Sequence, residues 1–147
     1  MMKTAFSLKD EGNFHFKSKD YKKAISKYSK VQLYIKPLAP PEIAADDMDP
    51  TLKMMGGMKQ FNLNEQELTA CRELQATAFL NMAICHHLNG DFQKSIDNCK
   101  KSISYNNKVI KAHYRLGQSL KALKQYDDAI KAFKAAIMLN VEDPNDI

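Results

Sequence analysis

The sequence predicts an all-α fold: a right-handed superhelix of three helix-turn-helix repeats, with a long insertion between the first and second. Three observations carry this reading. Packing residues recur at a fixed period, turn signals fall at the same place in each unit, and the composition favours helix throughout. The chain has 147 residues, enough for one domain with a real core, and contains only 5 glycines and 5 prolines amid abundant Lys, Ala, Ile and Leu.

The register follows from aligning Gly117 with Ala83, one period apart, and taking each as position 8 of a unit. One unit then starts at Ala76 and the next at Ile110. Position 20 is Ser95 and Ala129, position 24 is Cys99 and Phe133, and position 27 is Ser102 and Ala136. Small side chains at positions 8, 20 and 27 let paired helices approach closely, while position 24 holds the residue that fills the gap. A period of about 34 residues with a helical hairpin in each unit is the signature of the tetratricopeptide repeat (TPR). A further unit starts at Ala5, with Gly12 at position 8, Ala24 at position 20 and Tyr28 at position 24. Its start lies slightly more than two periods before Ala76, so an insertion a little longer than one repeat separates the two units.

Each element has its own punctuation. Lys19-Asp20-Tyr21, Gly90-Asp91-Phe92 and Gln125-Tyr126 mark the turn within each hairpin. The second helices carry Ala24-Ile25-Tyr28, Ile96-Cys99-Ile103 and Ala129-Ile130-Phe133-Ile137, apolar at three-to-four spacing. Pro37, Pro40 and Pro41 end the first hairpin. Asn64 with Glu67 three positions on reads as a capping box, so the next helix is expected from near Glu65 to about Leu88. The expected organisation is one domain over 1–147: repeat one at 5–36, an inserted loop at about 37–63, repeat two at about 64–107 with an extended first helix, and repeat three at 108–141. The insertion holds four prolines, Gly56-Gly57 and the acids Asp46, Asp47 and Asp49, and reads as a loop. Met54, Met55, Met58 and Phe61 leave room for a short amphipathic turn that docks elsewhere.

Stacked repeats line their first helices along a concave groove, with positions 2, 5, 6, 9 and 12 facing it or near it. Among the residues at those positions are Lys9 and Asn13 in the first repeat, Asn81 in the second, and Lys111 and Arg115 in the third. Three cations and two amides suit an acidic peptide with a free C-terminal carboxylate, because charge-assisted hydrogen bonds are the strong ones. At about 1.5–3 kcal/mol each, five such bonds less an association cost of at least about 4 kcal/mol leave near-micromolar affinity.

The segments Lys9-Asp10-Glu11-Gly12-Asn13-Phe14-His15-Phe16, Asn81-Met82-Ala83 and Lys111-Ala112-His113-Tyr114-Arg115 resemble the dicarboxylate-clamp TPR domains of co-chaperones. Such domains occur in the Hsp-organising protein, the large immunophilins, cyclophilin 40-type isomerases and the tetratricopeptide repeat protein 9 family. The resemblance covers everything but the insertion, and all five clamp positions match. It implies a module that captures the C-terminal Glu-Glu-Val-Asp tail of cytosolic heat-shock protein 90 or 70. Lys9, Asn13 and Asn81 would then hold the terminal carboxylate, Lys111 the last Asp side chain, and Arg115 the peptide backbone or an upstream Glu. Phe16 and Lys121, both at position 12, are further candidate groove contacts, each with an ordinary packing or solvated role as its alternative.

Other chemistries find little footing. The net charge of +5 admits nucleic acid, an anionic membrane or an acidic peptide, but Lys22, Lys23, Lys27 and Lys30 read as a solvated outer face. No stretch approaches the roughly 20 apolar residues of a membrane span. Three cysteines without a C-x-x-C pair point to a reducing cytosol, and no metal or other cofactor is expected. His15, His86 and His113 fall at bulky packing positions rather than ligand spacing. No phosphate loop or nucleophile elbow is present, so an enzyme is not expected in these residues. An adaptor that binds an internal motif, or itself, is the alternative function. The third repeat finishes near Asn140, leaving an apolar side at Leu116 and Leu123. A longer parent protein, a dimer through this face or a minimal final cap would each account for it, the first being preferred.

Overall fold

The computed structural model describes residues 2–35 and 64–142, and every regular element among them is an α-helix. The helices are α1 (Met2–Lys17), α2 (Tyr21–Ile35), α3 (Glu65–Leu88), α4 (Phe92–Tyr105), α5 (Ile110–Ala122) and α6 (Tyr126–Glu142). They pair as hairpins, α1 with α2, α3 with α4 and α5 with α6. Neighbouring hairpins join through α2 against α3 and α4 against α5. The first helices also meet in succession, α1 with α3 and α3 with α5. The expected insertion at 37–63, with its methionines and acids, lies outside the described residues.

The hairpin turns share one backbone solution. Lys19, Gly90 and Lys124 occupy equivalent positions, and all three have positive φ, at 62°, 80° and 63°. The chain reverses through a single left-handed residue in each turn, which only glycine accepts without strain. Two of the next helices then start on an acid. Asp20 Oδ1 accepts from the Lys23 amide at 3.3 Å, and Asp91 Oδ1 from the Lys94 amide at 3.3 Å. Asn64 caps α3, its Oδ1 accepting from the Glu67 amide at 2.7 Å. The Glu67 carboxylate accepts from the Asn64 side-chain Nδ2 at 3.2 Å, rather than from the backbone N–H that closes a capping box.

Close approach of paired helices explains the small residues. A Cβ built on Gly12 would sit 2.6 Å from Cε1 of Tyr28, and one on Gly117 would sit 2.7 Å from Cε1 of Phe133. Each glycine makes room for the aromatic ring at position 24 of its own hairpin. The second hairpin has Cys99 at that position and carries Ala83 where the others have glycine; both are fully buried. Ala24, Ser95 and Ala129 at position 20 are buried as well.

The interior is two clusters rather than one. The larger gathers α1, α2 and α3 around Ala5, Ala24, Tyr28, Val31, Ile35 and Phe79, with Tyr105 stacked on Phe79 at 5.5 Å. The smaller joins Ile96 of α4, Leu120 of α5, and Ala129 and Ala132 of α6. Leu116, expected on the open side of the third repeat, packs against this second cluster instead. Leu123 is exposed as expected, and further apolar exposure lies on α6, where Ile137, Met138 and Val141 are 61%, 66% and 75% exposed. The cause is helical phase: α5 turns Leu116 toward α4 and α6, whereas α6 has no later helix to cover its outer face among the described residues.

Candidate functional site

The described side-chain contacts draw three helices together at one point. The Tyr28 hydroxyl of α2 donates to Asn13 Oδ1 of α1 at 2.6 Å. Asn81 Nδ2 of α3 donates to the same oxygen at 3.4 Å. Two of the five expected clamp residues therefore touch, although they lie on different repeats far apart in sequence. Tyr28 is 1% exposed, and burial pushes its hydroxyl up to about 12, helped by nearby Cys85 and opposed by a hydrogen bond with Asn81. The phenol stays protonated at any working pH, so it holds a proton for Asn13 to accept.

Lys9 lies one helical turn before Asn13 on α1, on the same face, with its Nζ 5.7 Å from the centre of the Phe6 ring. Lys111 and Arg115 are likewise one turn apart on α5. Lys111 is exposed and edges a groove of about 500 Å³ between α5 and α6, lined by Ile110, Tyr114, Phe133, Ala136, Ile137 and Asn140. Arg115 is half-buried, and its Nη1 donates to Gln118 Oε1 at 3.2 Å. Its charge is felt on both neighbouring helices. It helps hold His87 of α3 below the ordinary histidine range, after burial, and it opposes the burial that pushes Cys99 of α4 up to about 12.

Among the described residues, Lys9, Lys111 and Arg115 form no ion pair with an acid, whereas Lys27 reaches Glu11 at 2.6 Å and Lys94 reaches Asp91 at 3.6 Å. Unpaired cations beside amide donors are what an external carboxylate needs. No hydrogen bond joins Lys9 to the amide pair, or Lys111 to Arg115, among the described residues. Phe16 is packed edge-on to Tyr21 at 5.8 Å and against the larger core cluster, and Lys121 is exposed.

Three further polar residues adjoin the site: Tyr28, which the sequence reads as packing, and His87 and Gln118, at positions 12 and 9 of their repeats, which the sequence reading does not single out. His87 Nδ1 and Ser119 Oγ are 2.9 Å apart, and Ser119 continues to Ser95 Oγ at 2.9 Å, a buried polar seam joining α3, α4 and α5. The signal for Tyr28 was a hydroxyl at position 24, where the third repeat has Phe133. The histidines expected in the packing are half-exposed: His15 meets Phe14 edge-on, and His113 Nε2 lies 2.9 Å from the Asn107 carbonyl. An imidazole keeps its nitrogens near water or a partner, because burying them alone is costly. The described residues contain no group of three or more His, Cys, Asp or Glu suited to a metal ion. No described helix is long and apolar enough to cross a membrane.

Comparison with known proteins fits this geometry. The family model of the tetratricopeptide repeat matches residues 110–143, the third hairpin. The chain's fold is similar to the second TPR of Spaghetti (RPAP3), solved bound to the HSP90 peptide SRMEEVD, with a TM-score of 0.65 at 18% identity over 92% of each chain. The first TPR of the same protein, bound to the same peptide, matches at a TM-score of 0.63 and 22% identity over 97% of this chain and 82% of that one. The Arabidopsis OM64 TPR domain matches at 0.67 and 20% identity, over 97% and 87%. At these identities the likeness is one of fold: the chain has the fold of a TPR domain.

Proposed function

We propose that this chain is a co-chaperone module that captures the acidic C-terminal Glu-Glu-Val-Asp tail of heat-shock protein 90 or 70. The observation that carries the reading is the contact of Asn13 with Asn81 across α1 and α3, with Lys9 one turn away on α1 and with Lys111 and Arg115 free of acidic partners among the described residues. Lys9, Asn13 and Asn81 supply donors for the terminal carboxylate. Lys111 and Arg115, one repeat further along, supply charge for the acidic side chains upstream. The HSP90 peptide bound to both RPAP3 domains supports the same ligand class. The work of such a module is binding rather than catalysis, and its partner puts it in the cytosol.

Calorimetry with a Met-Glu-Glu-Val-Asp peptide tests the proposal. Lys9→Ala and Arg115→Ala should each weaken binding by about 10- to 100-fold, the worth of one charge-assisted hydrogen bond, without unfolding the domain. Amidating the peptide's C-terminus should weaken it similarly. Affinity indifferent to both substitutions would overturn the clamp. The apolar outer face of α6 favours one other reading, self-association through the third hairpin. That reading predicts indifference to amidation and a sedimentation coefficient that rises with concentration.

A further inference from the structure

We propose that Tyr28 is a positioning residue of the clamp: its hydroxyl turns the Asn13 carboxamide so that the oxygen faces inward and both N–H groups face the ligand. This deepens the carboxylate-clamp reading and rests on it. A carboxamide has one accepting end and one donating end, and a carboxylate can only accept. Which end of Asn13 reaches the groove therefore decides whether the residue attracts the ligand or repels it.

The surroundings of Asn13 make that choice. Its Oδ1 accepts twice, from the Tyr28 hydroxyl at 2.6 Å and from Asn81 Nδ2 at 3.4 Å. Both N–H groups of Asn13 and one N–H of Asn81 remain free of these two bonds. Turning the amide over would set its NH₂ against Asn81 Nδ2, donor facing donor. It would also take from Tyr28, 1% exposed on α2, the acceptor that its proton uses. A buried hydroxyl does not readily give up its acceptor. The Tyr28 ring reaches this place because Gly12, the residue before Asn13, carries no side chain; a Cβ there would stand 2.6 Å from Cε1 of the ring. Gly12, Asn13, Tyr28 and Asn81 thus act as one unit across three helices. A packing residue at position 24 needs only the ring, as Phe133 demonstrates in the third hairpin, so the hydroxyl of Tyr28 has a separate role.

The test is Tyr28→Phe, which keeps the ring and removes the hydroxyl. Wild type and variant are each titrated with Met-Glu-Glu-Val-Asp as the free acid and as the C-terminal amide. The readout is the ratio of the two affinities, which a loss of packing alone would not change. We expect Tyr28→Phe to bind the free acid about tenfold more weakly and the amide as before, so that the ratio falls. A variant that keeps the wild-type ratio would overturn the role of Tyr28 and leave the clamp standing. A wild type that does not prefer the free acid would overturn the clamp itself, and the positioning role with it. If Tyr28→Phe does not fold, Asn13→Asp serves. It keeps an acceptor for Tyr28 and Asn81 but has no donors, so the melting temperature should hold while free-acid binding is lost. Retained free-acid affinity in Asn13→Asp would overturn the inference.

Discussion

Gly12 and Gly117 stand at the same repeat position, and each lies against an aromatic ring, yet the two sites should answer differently to the same substitution. Adding a methyl to a helical glycine gains up to about 1 kcal/mol of helix propensity. Overpacking a filled site costs about 1–3 kcal/mol. The balance turns on whether the ring can move. Tyr28 is buried and its hydroxyl is tied to Asn13, so the ring opposite Gly12 is held at both ends. Phe133 is half-buried beside the groove of α5 and α6 and has space to swing. Gly12→Ala should therefore destabilise the domain by about 1–2 kcal/mol in urea unfolding, and Gly117→Ala should cost clearly less. Equal losses would mean that ring mobility does not decide the outcome.

At the scale of the element, the three hairpin turns pose one backbone problem and answer it with two residue types. A left-handed conformation costs an L-residue about 1–2 kcal/mol, and glycine nothing comparable. Gly90 is free of that cost, while Lys19 and Lys124 bear it. Nothing lies within 4 Å of a Cβ added at Gly90, so the effect of a side chain there comes through φ alone. Gly90→Ala should lower stability by about 1 kcal/mol, and Lys124→Gly should raise it by up to about 1 kcal/mol, both read from denaturation midpoints. A neutral result at both positions would show that the turns relax away from positive φ at little cost.

Stability over the whole molecule should be uneven, because the core is divided. α3 packs on its hairpin partner α4 and on helices of both neighbouring hairpins, and is buried along most of its length from Cys71 to Cys85. Among the described residues, α6 packs on one side only and leaves Ile137, Met138 and Val141 exposed. A repeat stack opens from the end with the fewest neighbours. Hydrogen exchange should therefore protect α3 most and release α6 first, with α5 intermediate. Equal protection of α6 and α3 would mean that the stack opens as one unit. The same imbalance bears on the proposed clamp, since Lys111 and Arg115 ride on α5 and depend on the less buried end for their position.

The helical class and the hairpin turns were legible because they depend on local chemistry and a fixed period. A residue's place in a helix follows from its spacing, and Asn64 or Asp91 announces the start of a helix by what its side chain can accept. Only the tertiary structure decided which side chains meet. Asn13 and Asn81 share a contact because α1 and α3 lie side by side, a fact of packing that no spacing within one helix contains. Tyr28 read as an ordinary packing ring, and its part in the site appeared only when its hydroxyl was found on Asn13. Leu116 read as exposed, and proved packed, because burial is set by neighbours rather than by position in the repeat. Periodicity is written along the chain, whereas the partner of a polar atom is chosen across it.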